Sequence, residues 1–245
     1  MEARQVAGRL AMRTGLAVTL SLAGRTAEPA AQPVPVRTGG FGGAEGLADY
    51  LRNEHVGALI DATHPYAAQI SVNAAVAAAQ AGVPLLALRR PDWKRVAGDC
   101  WIMVERMADV VPALGAAPRR VFLALGRKEI TPFEAAPQHR YLVRSVDPVV
   151  PPLNVPDAVY VTARGPFPEA GESKLLKEHS INFIVAKNSG GTATYGKIAA
   201  ARALGIPVIM LRRPPQLPDV AAVETIEEVE GWLAHVSALA TARGV

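Results

Sequence analysis

The sequence predicts an α/β fold made of two doubly wound parallel-sheet domains of the Rossmann-like class, related by an internal repeat, with ligands bound in the cleft between them. Three observations predict it: one ten-residue phrase occurs twice, apolar strands alternate with alanine-rich helices, and basic residues collect where strands end. Strands that alternate with helices through short connections are typical of parallel sheets covered by helices on both faces.

The repeated phrase reads GVPLLALRRP at 82–91 and GIPVIMLRRP at 205–214. The shift of 123 positions that aligns the two phrases also brings NEHVGALIDATHP at 53–65 opposite KEHSINFIVAKNS at 177–189, within a residue or two. We interpret this agreement as duplication of one architecture. Chance similarity between two α/β crossovers is the alternative.

Strands and helices are predicted from local sequence patterns. The near-continuous apolar run at 121–125 is typical of a strand buried on both faces of a sheet. Helices are predicted over about 66–81 and about 193–204, because Gly82 and Gly205 follow them as C-terminal stop signals. The repeat then predicts an N-terminal domain at 1–116 and a C-terminal domain at 117–245, with the boundary near 115–119.

Composition narrows the class of partner. No apolar run approaches the roughly 20 residues needed to cross a bilayer, no signal segment opens the chain, and the single Cys100 forms no internal disulfide. These features predict a cytoplasmic protein without a membrane partner. The net charge of +4 suggests an anionic partner, and a small polyanion suits it better than nucleic acid, because basic residues come in ones and twos and aromatic residues are scarce.

Ligands of doubly wound sheets bind beyond the carboxyl ends of the strands, and that rule selects candidate residues in both halves. In the first half these are Ser21 to Arg25, Arg37 to Gly43, Asp61 to Tyr66, and Arg89-Arg90. In the second half they are Gly126 to Lys128, Arg144, Arg164, Lys187 to Thr192, and Arg212-Arg213.

Two motifs carry the strongest chemical signals. KNSGGT (187–192) lies between a buried strand and a helix, so its backbone N–H groups and Lys187 suit an anion; a helix N-cap at Ser189 is the alternative. DATHP (61–65) places His64 just past a strand, where Asp61 could fix its tautomer or cap the next helix. Neither motif has a second His or Cys at metal-ligand spacing, so no metal is predicted.

Three other sequence features each allow two interpretations. GGFGGAEG (39–46) has the wrong spacing for the dinucleotide fingerprint and is interpreted as a mobile loop over the cleft or a flexible connection. The Arg-Arg-Pro endings could cap their strands or stack on Trp93. Tyr66 and Tyr195 begin helices beside the two signature motifs, as hydrogen-bond donors or as packing residues.

Quoted together, IDATHPYAAQIS, RRPDW, LGRKEI, TARGPF and AKNSGGTATYGKIAAARALGIPVIMLRRP resemble the precorrin-6A reductase family of cobalamin biosynthesis, over nearly the whole chain. The resemblance implies a two-domain Rossmann-like oxidoreductase without the usual dinucleotide fingerprint. It also implies the reaction: hydride transfer from NADPH to the precorrin-6A macrocycle, with protonation of the neighbouring ring carbon, to give precorrin-6B.

The chain departs from the family at its start. Members usually open with an apolar strand and a Gly-Gly-Thr-x-Glu-Ala-Arg turn, whereas this chain begins at Met1-Glu2-Ala3-Arg4, inside that motif. We therefore expect the true start to lie upstream, with Met1 an internal methionine. The alternative is that a strand from elsewhere fills the central position.

The resemblance and the strand-end rule together assign the site. NADPH is expected in the N-terminal domain, with Arg25 near its 2′-phosphate, and the precorrin carboxylates mainly in the C-terminal domain, although LGRKEI could equally cradle a phosphate. The predicted catalytic residues are His64 and Tyr66. The predicted cofactor-binding residues are Ser21, Gly24, Arg25, Asp61, Thr63 and Arg89. The predicted substrate-binding residues are Arg127, Lys128, Arg144, Arg164, Lys187, Ser189, Gly190, Gly191, Thr192, Lys197 and Arg212.

Two other functions compete with the reductase. A methyltransferase of the same pathway would share a doubly wound domain, but it would usually carry an acidic residue after the second strand, where Ser21 and Arg25 stand. A non-catalytic module that binds a polycarboxylate tetrapyrrole would use the same basic cleft without cofactor turnover. The resemblance implies a small-molecule tetrapyrrole, precorrin-6A, as the partner; the oligomeric state is left open.

Overall fold

The computed structural model describes residues 2–24 and 30–242, and the chain divides into two compact units. The first unit comprises Met1–Arg90 and Pro214–Val245, and the second comprises Pro91–Arg213. Both breaks fall inside the two Arg-Arg-Pro phrases. The expected boundary at 116/117 instead lies within the second unit, because the chain passes between the units twice rather than once.

The second unit is built on one six-stranded sheet in which all neighbouring strands are parallel. Its strands are β5 (Trp101–Val104), β6 (Arg120–Ala124), β7 (Arg140–Ser145), β8 (Ala158–Thr162), β9 (Phe183–Lys187) and β10 (Val208–Leu211), in the order β5-β10-β9-β6-β7-β8. Its helices are α4 (Val110–Leu114), α5 (Glu169–Glu178) and α6 (Gly196–Leu204), with short 3-10 helices at Met107–Asp109 and Thr131–Ala135.

The central strands of this sheet form the core of the second unit. Phe122 on β6 and Ile184 on β9 are fully buried, as are Val121 and Val185 on the opposite pleat of the same strands. Burial on both faces explains why these strands read as continuous apolar runs rather than as alternating ones. The predicted parallel α/β class is confirmed.

The first unit contains two smaller parallel sheets. β1 (Leu20–Leu22) pairs with β2 (Val36–Thr38), while β3 (Leu59–Asp61), β4 (Leu85–Leu88) and β11 (Ala222–Val223) form the order β11-β4-β3. The helices are α1 (Glu2–Leu10), α2 (Ala44–Asn53), α3 (Ala68–Ala81) and α7 (Ile226–Ala242). Among the strands that the structure describes, none joins β1 to β3, which is the position where the sequence analysis expected a central strand.

The two halves of the sequence exchange a strand, which was not expected from the repeat. β5 follows the first Arg-Arg-Pro phrase but pairs with β10 of the second unit, and β11 follows the second phrase but pairs with β4 of the first. The residues between Pro91 and β5 explain the first exchange. Trp93 is buried in the core of the second unit, and buried Asp99 accepts a hydrogen bond from Arg202 Nε at 2.9 Å, so this segment is anchored there.

The two predicted helix ends are confirmed. α3 ends at Ala81 and α6 at Leu204, and the glycine that follows each adopts the left-handed conformation, with φ of 68° at Gly82 and 66° at Gly205. A residue with a Cβ is disfavoured there, so these glycines terminate the helices for a steric reason. The helix starts differ slightly from prediction, since α3 begins at Ala68 and α6 at Gly196.

None of the helices in residues 2–24 and 30–242 has the length and apolarity needed to cross a membrane. The same residues bring no three His, Cys, Asp or Glu side chains together in a group that could hold a metal ion.

Candidate functional site

The carboxyl ends of the six parallel strands of the second unit share one edge of the sheet, and most of the predicted substrate-binding cations follow those ends. Arg212 follows β10, Lys187 ends β9, Arg127 and Lys128 follow β6, and Arg164 follows β8. Arg127, Lys128, Arg164 and Arg212 are exposed. Positive charge therefore lies along the edge where doubly wound sheets bind their ligands.

The loop between β9 and α6, residues 188–195, is held by Trp93. The side-chain Oδ1 of Asn188 accepts from the Trp93 backbone N–H at 2.7 Å, and Asn188 Nδ2 donates to the Trp93 carbonyl at 2.9 Å. The Trp93 indole Nε1 donates to the Gly191 carbonyl at 2.7 Å. These three bonds fix loop 188–195 against the segment that delivers β5.

Glycine is required at the turn of this loop. Gly190 and Gly191 both have φ of 68°, and a Cβ on Gly190 would overlap the Pro91 carbonyl oxygen and the Arg213 guanidinium. Arg213 Nε also donates to the Asn188 carbonyl at 2.7 Å. The Lys-Asn-Ser-Gly-Gly motif is thus a closely packed turn.

Ser189 does not cap the following helix. α6 begins at Gly196, its N-cap position is Tyr195, and no side chain bonds there as a cap. The N-cap alternative for Ser189 is therefore wrong, because the chain makes a turn over residues 189–195 before the helix starts. Ser189, Gly190, Gly191 and Thr192 lie in that turn, beside Lys187 at the sheet edge.

Two of the predicted substrate-binding cations lie in the interior instead. Arg144 is 8% exposed and its guanidinium forms a two-pronged ion pair with Glu172 of α5, with Nη2 2.9 Å from Oε2. The Arg144 guanidinium also stacks 3.7 Å from the ring centroid of Phe167. Arg144 thus has an internal partner in the described conformation, and its contact with a carboxylate arm of the substrate stays a prediction.

Lys197 is the second interior cation. It is 4% exposed, its Nζ donates to the Thr194 carbonyl at 2.7 Å, and the Nζ lies 4.8 Å from the Trp93 ring centroid. Burial, together with the nearby positive charge of Arg144, lowers the pKa of Lys197 to about 7, against the opposing effect of Glu172. Lys197 thus supports loop 188–195 from inside, and its contact with substrate likewise stays a prediction.

Glu129 occupies the edge between the ends of β6 and β9. Its carboxylate forms an ion pair with Lys187 and accepts a hydrogen bond from the Gly126 backbone N–H at 2.9 Å. The Glu129 backbone N–H in turn donates to the Gly126 carbonyl at 2.8 Å, which closes a tight turn. A carboxylate therefore sits between a strand-end N–H and a strand-end ammonium group.

In the first unit, the DATHP motif and the first Arg-Arg-Pro phrase meet in one buried network. Arg89 forms an ion pair with Asp61 Oδ2, donates to the Asp61 carbonyl at 2.7 Å and donates to Ser71 Oγ at 2.8 Å. Thr63 donates to Asp61 Oδ1 through both its backbone N–H, at 3.0 Å, and its hydroxyl, at 2.6 Å. The network ties the adjacent ends of β3 and β4 together.

The electrostatics of this network explain its stability. The side chains of Asp61 and Arg89 are 4% and 12% exposed. Burial alone would raise the pKa of Asp61, but the hydrogen bonds from Arg89, Ser71 and Thr63 outweigh burial and hold the pKa below its usual value. Thr63 and Arg89 both bond to Asp61, and the binding of the cofactor by these three residues stays a prediction.

His64 and Tyr66 lie just beyond this network. His64 is exposed, its ring centroid is 5.7 Å from that of Tyr66, and its Nδ1 accepts the Tyr66 backbone N–H at 3.3 Å. An accepting Nδ1 places the proton of the neutral imidazole on Nε2. The pair therefore presents a proton-bearing nitrogen and a phenol at the carboxyl end of β3.

The ends of β1 and β2 meet in a glycine-rich region. Ser21 lies in β1, and Gly24 follows that strand with φ of 67°. A Cβ on Gly24 would lie 3.6 Å from the Gly39 backbone, and the Gly39 N–H donates to the Leu22 carbonyl at 2.8 Å. Arg25 lies outside the described residues.

Four residues that organise these sites were given no assigned site role from the sequence, although Asn188 lay within a candidate range and Trp93 was named as a possible stacking partner: Trp93, Glu129, Glu172 and Asn188. Glu129 stands three residues after Gly126, the spacing at which a carboxylate caps an N–H at the start of a turn, and Asn188 lies inside the quoted Lys-Asn-Ser-Gly-Gly motif. Those two had a local signal. Glu172 had none, because its partner Arg144 lies 28 positions away.

The fold and its two strand-end regions define a Rossmann-like α/β protein of two units, with basic side chains along one sheet edge. The family model described as Precorrin-6x reductase CbiJ/CobK matches residues 1–234. The chain belongs to this family.

Individual relatives agree with the family match. A precorrin-6A reductase of a Sinorhizobium species is 56% identical over 236 residues, which cover 95% of this chain and 90% of the relative. A solved structure of a CobK precorrin-6A reductase superposes with a TM-score of 0.91 at 50% identity and covers 96% of this chain and 93% of its own. A cobalt-precorrin-6A reductase of Priestia megaterium is 27% identical over 76% of each chain.

Proposed function

We propose that this protein reduces precorrin-6A to precorrin-6B, using NADPH as the source of the hydride. Hydride adds to one carbon of a double bond of the macrocycle and a proton adds to its neighbour, so the substrate gains two electrons and NADPH becomes NADP⁺. The observation that carries the proposal is the 56% identity, over 95% of the chain, to a relative named precorrin-6A reductase. Its single exposed Cys100 suits a reducing compartment, and we place the reaction in the cytoplasm.

The second unit is proposed to bind the macrocycle. Precorrin-6A carries acetate and propionate arms, which call for several charge-assisted hydrogen bonds from Arg and Lys. Arg127, Lys128, Arg164, Lys187 and Arg212 supply such donors along one edge, and loop 188–195 supplies backbone N–H groups beside them. Arg144 and Lys197 act from beneath as positioning residues.

The first unit is proposed to hold the cofactor, which supplies the hydride when bound. The residues that fit it lie at the ends of β1 and β2, where a Cβ on Gly39, Gly40 or Gly43 would meet nothing within 4 Å. Open backbone of this kind lets a pyrophosphate approach N–H groups closely. Ser21 and Gly24 lie at the same end, and Arg25 remains our proposed partner for the 2′-phosphate.

His64 and Tyr66 are proposed to handle the proton. His64 Nε2 is directed away from the Nδ1 contact with Tyr66 and is the ring nitrogen that can face substrate; as imidazolium, His64 gives its Nε2 proton to the ring carbon and becomes the neutral imidazole. The Tyr66 ring lies beside that of His64, with the two centroids 5.7 Å apart. The Asp61–Arg89 network positions this segment without contacting substrate itself.

The cobalt-free substrate is the one we propose. The relative named precorrin-6A reductase is 56% identical to this chain, whereas the relative named cobalt-precorrin-6A reductase is 27% identical and matches a smaller share of it. Parallel assays with precorrin-6A and its cobalt complex test this choice, and faster turnover of the cobalt complex would contradict it.

The decisive experiment mixes the purified full chain with precorrin-6A and NADPH and follows NADPH absorbance together with the mass of the product. We expect oxidation that requires the tetrapyrrole, and a product heavier by two hydrogen atoms. NADH replaces NADPH in a matched assay to test the cofactor. Oxidation that does not depend on the tetrapyrrole, or no oxidation at all, would contradict the proposal.

The proton donor is tested by His64→Asn, which should lower kcat by about 100-fold or more, as loss of a general acid typically does. His55→Asn is the matched control, because His55 is an exposed histidine of the same unit with φ of 49°, which asparagine tolerates. Equal kcat values for the two variants would remove His64 from the reaction and shift the assignment to Tyr66, tested by Tyr66→Phe.

A further inference from the structure

The turn after β6 contains a small anion cradle whose occupant is a side chain of the protein itself. β6 and β9 are adjacent parallel strands, with Ala124 opposite Ala186, so Gly126 and Lys187 meet at the shared edge. The Glu129 carboxylate lies between them, bonded to the Gly126 N–H and the Lys187 ammonium group. We call these two donors the Gly126–Lys187 cradle.

The cradle has the chemistry of a carboxylate site. One backbone N–H and one ammonium group supply two charge-assisted donors for the two oxygens of a carboxylate. The Lys187 side chain is only 13% exposed, so an anion in the cradle is held in a partly dry setting where such bonds are stronger. The Glu129 side chain is 32% exposed and reaches the cradle from a turn on the surface, so it can leave without disturbing the core.

We propose that Glu129 is an internal stand-in for a carboxylate arm of the substrate: it fills the Gly126–Lys187 cradle when no ligand is bound, and an acetate or propionate arm of the tetrapyrrole displaces it on binding. This inference rests on the proposed function for the identity of the ligand. It assigns the cradle to a carboxylate rather than to a cofactor phosphate.

Glu129 then affects substrate affinity in a direction opposite to that of an ordinary binding residue. While the carboxylate occupies the cradle, the lysine is neutralised and the two donors are satisfied, so the empty protein pays no penalty for a buried charge. The arriving arm must break those bonds before it can make its own. Removing the Glu129 charge should therefore tighten binding, whereas removing Lys187 should weaken it.

The test uses uroporphyrin III, a stable tetrapyrrole with acetate and propionate arms, as the probe, and measures its dissociation constant by fluorescence. Glu129→Gln keeps an oxygen that can accept the Gly126 N–H but removes the negative charge. We expect its affinity for uroporphyrin to rise about three- to tenfold over the wild type, the range for release of a partly buried pair. NADPH affinity should stay unchanged.

Glu178→Gln is the matched control. Glu178 lies in the same unit and pairs with Lys174 at 3.7 Å, but both side chains are largely exposed, at 55% and 75%. This variant changes the net charge by the same amount without touching the cradle, so it reports the general electrostatic effect on an anionic probe. The gain for Glu129→Gln must exceed it.

A double-mutant cycle with Lys187→Gln completes the test. Lys187→Gln should lower uroporphyrin affinity. In that background Glu129→Gln should change the affinity by less than about twofold, because the cradle has already lost its ammonium group. Lower uroporphyrin affinity in Glu129→Gln alone would show that Glu129 positions Lys187 for the ligand, and would overturn the proposal. A gain no larger than that of Glu178→Gln would overturn it too.

Two further outcomes separate this inference from the proposed function. If NADPH rather than uroporphyrin binds more tightly to Glu129→Gln, the cradle takes a phosphate and the inference is wrong, although reduction of precorrin-6A stands. If the wild type fails to reduce precorrin-6A while Glu129→Gln still tightens uroporphyrin binding, the proposed function fails and the carboxylate cradle remains.

Discussion

The two Arg-Arg-Pro phrases have the same sequence, but their first arginines differ in solvent exposure and in partner. In the first unit the Arg89 side chain is 12% exposed and forms its ion pair with Asp61, whose side chain is 4% exposed. In the second unit Arg212 is 55% exposed and pairs with Glu105, which is 71% exposed, at 2.8 Å. Both arginines directly follow a strand that ends at a sheet edge.

The neighbouring strand explains the difference. β3, beside the first phrase, ends in Asp61, whereas β9, beside the second, ends in Lys187. An acidic neighbour draws the arginine inward, while a lysine at the edge leaves it in solvent. The two phrases therefore share a backbone pattern and differ in the use of the charge: the first unit joins its strand ends with it, and we propose that the second leaves it for a ligand.

The largest effect expected from this comparison concerns stability. Arg89→Ala leaves the buried Asp61 carboxylate without its cation, so the free energy of unfolding should fall by about 3–5 kcal/mol. Arg212→Ala removes a solvated pair and should change it by less than about 0.5 kcal/mol. Urea unfolding followed by circular dichroism measures both, and similar losses in the two variants would abolish the distinction between the phrases.

The second-largest expected difference is in how much stability each glycine loop loses when alanine replaces a glycine. Gly39 and Gly190 both have positive φ, at 117° and 68°, but a Cβ meets nothing within 4 Å at Gly39 and overlaps Pro91 at Gly190. Alanine should therefore cost about 1–3 kcal/mol of backbone strain at either position, and about 2 kcal/mol more at Gly190 because of the overlap. Equal unfolding midpoints for the two variants would show that loop 188–195 yields more readily than its contacts indicate.

The interior charges predict different dependences on pH. The pKa of Lys197 is lowered to about 7 from 10.5, mainly by burial, so between these values the unfolded chain binds a proton that the folded protein has released. Stability should then rise with pH across that window, by up to about 1.4 kcal/mol per pH unit. Asp61, with its pKa lowered, contributes stability above about pH 4 that is lost as the pH falls below that value.

Lys197→Met tests the predicted rise in stability above pH 7. In the wild type, the free energy of unfolding measured with urea should be higher at pH 9 than at pH 7.5. In Lys197→Met this increase should be smaller by about 1–2 kcal/mol. Lys174→Met, at a largely exposed lysine of the same unit, should keep the wild-type rise. The same rise in all three proteins would mean that Lys197 stays charged in the interior.

The smallest effect concerns the glycine loop of the first unit. Arg37 donates to the Gly39 and Gly40 carbonyls at 2.7 and 2.8 Å, and its guanidinium lies 3.6 Å from the Phe41 ring centroid. Arg37→Ala should lower the free energy of unfolding by about 1 kcal/mol. Lys94→Ala, which removes an exposed pair with Asp92, should leave it nearly unchanged; an equal loss there would show that the loop does not depend on Arg37.

Much of the fold was predictable because its signals are local. Glycine after a helix, apolar runs in buried parallel strands and basic residues at strand ends each report on a few neighbouring positions. The helix ends at Ala81 and Leu204 and the parallel class followed from such signals. The strand exchange did not, because β5 and β11 carry ordinary strand sequences and their partners are chosen by distant contacts such as those of Trp93 and Asp99.

For the candidate site, too, some features follow from local sequence and others only from long-range packing. The sequence by itself determined which residue types stand at which strand ends, since chain order and the parallel topology place them at one edge. Only the tertiary structure decided that Arg144 and Lys197 lie inside, that Asp61 and Arg89 bind each other, and that Glu129 fills the cradle at Lys187. The physical reason is that the fate of a charge depends on which opposite charge lies within a few ångströms and on how much water remains, and both are set by packing between residues far apart in the chain.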